Sequence, residues 1–152
     1  MTKILVAYAS ETGNTEEIAL KIAEGVRSKG VEPDVKELFD LTAEELGQYD
    51  GVLMGSFTTG LGDLPLDAEY LLEEVGTTHL DGTYAACFGS GDRRYGQYFA
   101  AAVDTIQTVL SDAGAQILVP AFKIERSLTD DEATQAVQLG ASFIEKLHDN
   151  NK

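Results

Sequence analysis

The stretch KILVAYASETGNTEEIALKIAEGV, residues 3–26, decides how the rest of the chain is interpreted. Its first part, Lys3–Ala9, is a nearly continuous apolar run, which is typical of a strand covered on both faces. From Thr15 onward, apolar residues recur at spacings of three and four as far as Val26, which predicts one face of a helix. Between the two lies the polar segment Ser10–Thr15 with a single glycine. The stretch therefore predicts a strand, a short loop and a helix in direct succession.

The alternation of apolar runs and amphipathic segments continues to the end of the chain. Further strands are predicted at Pro33–Phe39, Gly51–Phe57, Thr83–Gly89 and Ala115–Ile124, the last with a bulge or an edge at Pro120. Further helices are predicted at Pro65–Val75 and Tyr98–Ala113, and from Thr129 through Leu147. Such alternation indicates an α/β fold, a doubly wound parallel sheet with helices on both faces.

Length and composition are those of one domain. The chain has 152 residues, and we expect them to form a single domain with its own core. No apolar run approaches the roughly 18 residues of a membrane span. The apolar stretch at the N-terminus is too short for a secretory signal. The single cysteine, Cys87, excludes an internal disulfide and favours a reducing, cytoplasmic location.

The chain is strongly acidic, with a net charge of −15 from 26 acidic and 11 basic residues. This balance argues against nucleic acid and against anionic membranes as partners, since both require a basic surface. Two explanations remain open: general solubility or a salt-rich habitat, and docking to the basic surface of a partner protein.

Three loops rich in glycine and hydroxyl groups follow predicted strands, at Ser10–Thr15, Ser56–Pro65 and Gly89–Tyr98. The carboxyl ends of parallel strands meet at one edge of a sheet, where ligands of such folds bind. The first loop leads into a helix, whose leading N–H groups lack partners and favour an anion. Because this loop offers neutral donors and neither lysine nor arginine, it favours a phosphate monoester over a triphosphate.

The third loop contains an aromatic residue, Tyr95, among glycines and charged residues. A tyrosine in this setting indicates a flat ligand on which it stacks, or equally a side chain that folds back onto the core. Gly89, Gly91 and Gly96 would let backbone N–H groups reach the polar edge of a planar ring.

At these three loops the sequence resembles a flavodoxin of the short-chain kind. The matching motifs are SETGNT (10–15), GSFTTGLGDLP (55–65) and FGSGDRRYGQYFAAAVD (88–104). The resemblance covers essentially the whole chain, in which strand 5 passes into the last helix without the extra insertion that marks long-chain members. It implies a five-stranded parallel sheet of order 2-1-3-4-5 with FMN bound at its carboxyl edge, a placement for which flavodoxin is itself the standard example.

The resemblance also implies roles for individual residues. The FMN phosphate would be held by Ser10, Thr12, Asn14 and Thr15, by the backbone of Glu11 and Gly13, and by Thr58. Tyr95 would stack on the outer face of the ring, and Gly60 would lie beside flavin N5. The pyrimidine edge would be bordered by Ser90, Gly91 and Asp92. The remaining predicted cofactor-binding residues are Phe57, Thr59, Leu61, Gly62, Gly96 and Tyr98.

Two positions depart from the family pattern. Thr59 stands where a tryptophan or another large apolar residue often covers the inner face of the ring, so Leu61 or Phe57 is the alternative cover. Arg93 and Arg94 stand where small hydroxyl residues are frequent. These two arginines would either offset negative charge near the flavin or lie in solvent.

The function implied by the resemblance is that of an electron-transfer protein and not an enzyme. It would be a monomeric, low-potential one-electron carrier that cycles between semiquinone and hydroquinone. Acidic groups around the ring, with Asp63, Asp67, Glu69 and Asp92 as candidates, would oppose the charge of reduced flavin. Its partners would be a flavodoxin/ferredoxin reductase and acceptor enzymes with basic docking surfaces.

Two alternatives share the fold: a flavin-dependent reductase and a dedicated activator of one metalloenzyme. A signalling receiver domain also shares it, but the sequence lacks the acidic pair after strand 1 and the aspartate after strand 3 that such a domain needs. His79 and His148 lie far apart in the sequence, so neither indicates a metal site or a nucleophile triad.

Overall fold

The computed structural model describes residues 2–10, 13–58, 63–92 and 100–150. The strands described there are β1 (Ile4–Ala9), β2 (Asp34–Glu37), β3 (Gly51–Phe57), β4 (Tyr84–Gly91), β5 (Gln116–Ile117) and β6 (Phe122–Glu125). The α-helices are α1 (Asn14–Arg27), α2 (Ala43–Leu46), α3 (Leu66–Val75), α4 (Ala101–Asp112) and α5 (Asp130–Asn150).

The strands form one parallel sheet of order β2-β1-β3-β4-β5, which confirms the predicted strand order. Ala9 at the end of β1 is opposite Ser56 of β3, and Ser56 is opposite Gly89 of β4. The carboxyl ends of these three strands are therefore level with one another. The three predicted loops therefore begin at the same edge of the sheet, called here the carboxyl edge.

The last predicted strand, Ala115–Ile124, is divided into two short strands. Both pair with β4: Ala85 is opposite Ile117, and Phe88 is opposite Phe122. Between them the chain leaves the sheet after the Leu118 N–H group, which donates to the Ala85 carbonyl at 3.0 Å. Pro120 has no N–H group and cannot donate to β4, which explains why the predicted bulge is a complete interruption.

The segment after β2 contains helical turns that the sequence analysis did not predict. A turn of 3-10 helix at Leu38–Asp40 follows β2, which is itself shorter than the predicted Pro33–Phe39. The helix α2 then begins after Thr42, whose side chain accepts from the Glu45 N–H while the Glu45 carboxylate accepts from the Thr42 N–H. The sequence Thr-Ala-Glu-Glu at 42–45 carries this capping-box signal, which predicts such a helix start.

Helices cover both faces of the sheet, as predicted. The helices α1 and α5 pack on one face against β1, β3 and β4, and α2, α3 and α4 pack on the other. Cys87 on β4 is completely buried in the core between the sheet and the helices α2, α3 and α4. Burial raises the pKa of its thiol to about 12. No helix among the described residues is long and apolar enough to cross a bilayer.

The helices α1 and α5 approach each other with their backbones almost in contact. A Cβ atom at Gly140 of α5 would overlap the Ile22 carbonyl oxygen of α1 and lie 3.0 Å from the Val26 nitrogen. A Cβ atom at Gly25 of α1 would overlap the Val137 carbonyl oxygen of α5. Glycine is therefore required at both positions by the close approach of the two helices.

Candidate functional site

A cleft of about 230 Å³ opens at the carboxyl edge, between the start of α1 and the ends of β3 and β4. Its described lining consists of Asn14, Phe57, Thr58, Ser90, Gly91, Asp92 and Arg126. Six of these seven residues belong to the predicted site, and Arg126 does not. The cleft lies where the strand order reverses between β1 and β3, the usual ligand position in a sheet of this kind.

The first loop joins β1 to α1 by a left-handed turn at Gly13, which has a φ of +89°. No atom lies within 4 Å of a Cβ built at this position, so the backbone conformation and not the space favours glycine. The Gly13 N–H donates to the Ser10 hydroxyl at 3.0 Å. This bond fixes the turn from which α1 begins.

The first turn of α1 has the character of an anion site. Within residues 2–10, 13–58, 63–92 and 100–150, no side chain accepts a hydrogen bond from the N–H groups of Asn14, Thr15 or Glu16. These N–H groups carry the partial positive charge of a helix start. The donor set at the start of α1 therefore suits a phosphate group.

One of the two acidic residues in the first turn of α1, Glu16, is held by a tyrosine. Tyr8 near the end of β1 donates its hydroxyl to the Glu16 carboxylate at 2.7 Å. Burial, and then the hydrogen bond to Glu16, raise the pKa of Tyr8 well above its usual value. Tyr8 therefore remains protonated at neutral pH and keeps donating to Glu16.

A buried hydrogen bond connects the first and third loops. The Thr15 and Ser90 hydroxyl oxygens lie 3.1 Å apart, and both residues are at most 4% exposed. This contact joins the first turn of α1 to the end of β4 across 75 residues of sequence. The candidate phosphate site at the first turn of α1 and the rim of the cleft are thus held in one fixed arrangement.

Thr58 has a structural contact in addition to its position in the cleft. Its N–H donates to the Ser90 carbonyl at 3.0 Å, and its hydroxyl accepts from the Ala102 N–H at 3.2 Å. The second contact caps the start of α4. Thr58 therefore ties β3 to both β4 and α4 at the cleft wall.

The end of β4 has glycines because the backbone of other elements lies against it. A Cβ atom at Gly91 would lie 2.5 Å from the Ala100 nitrogen, and one at Gly89 would overlap the Ser56 carbonyl oxygen. The cleft wall at Ser90 and Gly91 is accordingly made largely of backbone. Such a wall can present N–H and C=O groups to a planar polar ring.

Arg126 is the cleft residue that the sequence analysis missed. It directly follows β6, so a fourth loop contributes to the carboxyl edge beside the three that were considered. Its N–H donates to the Gly91 carbonyl at 2.9 Å, and its guanidinium pairs with Asp92 at 3.2 Å. The rule that parallel strands end at one edge would have pointed to this residue had it been applied to the last strand.

Half of the predicted site lies outside the described residues. These positions are Glu11, Thr12, Thr59, Gly60, Leu61, Gly62, Tyr95, Gly96 and Tyr98, together with Arg93 and Arg94. The predicted ring stacking on Tyr95, the position of Gly60 beside N5 and the cover of the inner face remain predictions. Among the residues described, Ser10, Gly13, Asn14, Thr15, Phe57, Thr58, Ser90, Gly91 and Asp92 lie at the carboxyl edge.

The histidines are not part of the cleft. His79 lies in the turn after α3, while His148 near the end of α5 is 3.3 Å from the Thr2 hydroxyl. In the part of the chain that the structure describes, no group of three or more histidine, cysteine or acidic residues is arranged to hold a metal ion.

The residues present at the edge fit FMN in their chemistry. A helix start with open N–H groups suits its phosphate, and a wall of backbone and hydroxyl groups suits the polar edge of its ring. The two parts are adjacent and joined by the Thr15–Ser90 contact.

Comparison with known proteins identifies similar sequences and structures. The family described as flavodoxin matches residues 6–140. Probable flavodoxin 1 of Bacillus subtilis is 41% identical over 136 residues, which are 90% of this chain and 85% of that protein. The flavodoxin of Maridesulfovibrio salexigens is 33% identical over 97% of this chain and its own whole length. The crystal structure of oxidised flavodoxin 1 from Bacillus cereus superposes with a TM-score of 0.91 at 34% identity, covering 95% of this chain and 98% of that one.

Proposed function

The chain belongs to the flavodoxin family, whose members bind FMN and transfer electrons, and from this we propose that it is a low-potential one-electron carrier. It takes electrons from a flavodoxin/ferredoxin reductase and passes them to acceptor redox enzymes. The observation that carries the proposal is the open helix start at Asn14, joined to the cleft wall by the Thr15–Ser90 contact. That arrangement supports one ligand with a phosphate at one end and a planar ring at the other.

In this proposal the first loop binds the phosphate. Asn14 and the first-turn N–H groups of α1 donate to it, and the Ser10–Gly13 bond keeps the turn in place. Ser90, Gly91 and Asp92 border the polar edge of the ring at the end of β4. FMN supplies the redox chemistry, since its ring accepts one electron at a time.

The low potential is supported by the charge of the chain. The net charge is −15; the acidic residue Asp63 lies between β3 and α3, and Glu69 lies near the start of α3. Negative charge near the ring disfavours the addition of a further electron. We therefore place the working couple between the semiquinone and the hydroquinone.

Reductive titration with excess FMN tests the function. We expect the protein to bind FMN in a 1:1 ratio and to be reduced in two separate one-electron steps, the second at a markedly lower potential than in free FMN. Absorption spectra recorded during stepwise reduction measure both steps. A protein that binds no FMN, or is reduced in a single two-electron step, would contradict the proposal. Oxidation of NADPH by the isolated protein would favour a reductase instead.

Partner docking is proposed at the exposed apolar side chains of α3 and its neighbouring turn. Leu66 and Tyr70 lie one helical turn apart on α3 and are 64% and 65% exposed. Phe39 is 75% exposed on the Leu38–Asp40 turn, which packs against α3. The exposed Glu69 and Glu73 lie on the same helix. Apolar groups beside acidic ones suit a partner whose basic surface surrounds an apolar contact.

Removing the apolar groups of α3 is expected to slow electron transfer from the reductase. The double variant L66Q/Y70Q should lower the second-order rate constant about five- to tenfold, the cost of roughly 1–1.4 kcal/mol of interface contact. Stopped-flow reduction of the FMN-loaded protein measures this rate. The control is L20Q, because Leu20 is 51% exposed on α1 at the opposite face. Equal rates for L20Q and L66Q/Y70Q would rule out this docking surface.

The proposal also covers domain organisation, oligomeric state and location. Residues 1–152 form a single FMN-binding domain, supported by two cores that share one sheet. The protein acts as a monomer in the cytoplasm, a location supported by its one cysteine, which is buried.

A further inference from the structure

Arg126 has a backbone conformation that side chains rarely adopt. Its φ is +58°, in the left-handed region that favours glycine. The turn is fixed by the Arg126 N–H group, which donates to the Gly91 carbonyl at 2.9 Å. An arginine at a position that would suit glycine indicates a use for its side chain.

The side chain lies over the wall of the cleft. The Arg126 Nε and Nη2 atoms lie 3.3 and 3.2 Å from the Asp92 Oδ2 atom. The Asp92 side chain is 17% exposed, whereas that of Arg126 is 66% exposed. Among the described residues that line the cleft, Arg126 is the only cation. Lys123 lies on β6, and its ammonium group pairs instead with the Asp104 carboxylate, at 2.8 Å.

We propose that Arg126 is a residue that tunes the potential of the bound cofactor, by offsetting the negative charge of Asp92 at the polar edge of the ring. The inference rests on the proposed function, since it concerns FMN in this cleft. Removal of the guanidinium makes the net charge of the cleft wall more negative by one unit, whether Arg126 acts on the ring directly or through Asp92. Added negative charge there disfavours the reduced, anionic form of the cofactor. Arg126 therefore keeps the potential of the protein higher than the surrounding acidic groups alone would set it.

The experiment compares three variants of the FMN-loaded protein. R126Q removes the charge, R126K keeps it, and R27Q is the matched control. Arg27 also forms an exposed ion pair, with Glu32 at 3.0 Å. It lies at the far end of α1, about 20 Å from the cleft at 1.5 Å per residue. R27Q and R126Q thus change the net charge equally, and only R126Q changes it at the cleft.

We expect R126Q to disfavour the last reduction step about fivefold relative to the wild type, a shift of about −40 mV at 59 mV per tenfold change. R27Q should leave the potential unchanged, and R126K should lie nearer the wild type than R126Q. Because the Arg126 side chain is largely exposed, the shift should shrink in 1 M salt. Spectroelectrochemical titration measures all four proteins.

The outcomes separate this inference from the proposed function. If the wild type binds FMN and R126Q has the same potential as R27Q, the inference is overturned and the proposed function stands. If R126K shifts as far as R126Q, charge is not the cause and the inference is also overturned. If the wild type binds no FMN, both the proposed function and this inference are overturned.

Discussion

Replacing Gly140 with alanine is expected to lower the free energy of unfolding by about 3 kcal/mol, the upper part of the usual range for overpacking. The added methyl group would overlap the Ile22 carbonyl oxygen and approach the Val26 nitrogen, both backbone atoms of α1. Since backbone cannot rotate away as a side chain can, α1 and α5 must move apart. For a protein of this size the change corresponds to a fall of about 6–12 °C in melting temperature.

The matched control is Gly47→Ala, measured by thermal unfolding of both variants. Gly47 has a φ of −69°, and a Cβ atom there would lie 3.6 Å from the Glu44 carbonyl oxygen, an ordinary contact. Alanine at this position should leave stability unchanged or raise it slightly, because the unfolded chain loses freedom. If G140A has the same melting temperature as G47A, α1 and α5 tolerate separation, and the argument from close packing would be wrong.

Replacing Asn14 with aspartate is expected to weaken FMN binding roughly 30-fold or more without destabilising the FMN-free protein. Asn14 is the first residue of α1 and lines the cleft. A carboxylate about 5 Å from a phosphate with a charge of about −2 is repelled by about 2–7 kcal/mol at an effective dielectric of 20 to 80. In the FMN-free protein the same carboxylate interacts favourably with the helix start, by about 0.3–1 kcal/mol.

The opposite signs of the two effects make N14D informative. Quenching of flavin fluorescence measures the dissociation constant, and thermal unfolding without FMN measures stability. Gln48→Glu is the control, since it makes the same amide-to-carboxylate change at an exposed residue just before β3, at the opposite edge of the sheet. If N14D binds FMN as tightly as Q48E does, the phosphate does not lie at the start of α1.

Much of the fold could be predicted because its signals are local. The apolar run Lys3–Ala9 and the spacing of apolar residues after Thr15 correspond to β1 and α1 within one residue or so. The order of the strands followed from the family resemblance. The helix α2 was missed although its capping box is present in the sequence, because it has only four residues and no apolar periodicity.

The candidate site was predictable in its position and less so in its contacts. Ser10, Asn14 and Asp92 could be assigned to one edge because parallel strands all end there. The cap that Thr58 forms on α4 joins residues 44 apart, and the Arg126–Asp92 pair joins residues 34 apart. Neither pairing has a local sequence signal, because side chains so distant in sequence meet only when the sheet is assembled.

The sequence by itself determined the alternation of strands and helices, the loop suited to a phosphate at Ser10–Thr15 and the acidic character of the chain. Each of these depends on neighbouring residues or on composition. Only the tertiary structure decided that the last strand breaks at Pro120, that Gly25 and Gly140 sit at a helix contact, and that Arg126 reaches the cleft. The physical reason is the same for all three: they depend on which backbone atoms lie opposite each other across elements far apart in the chain.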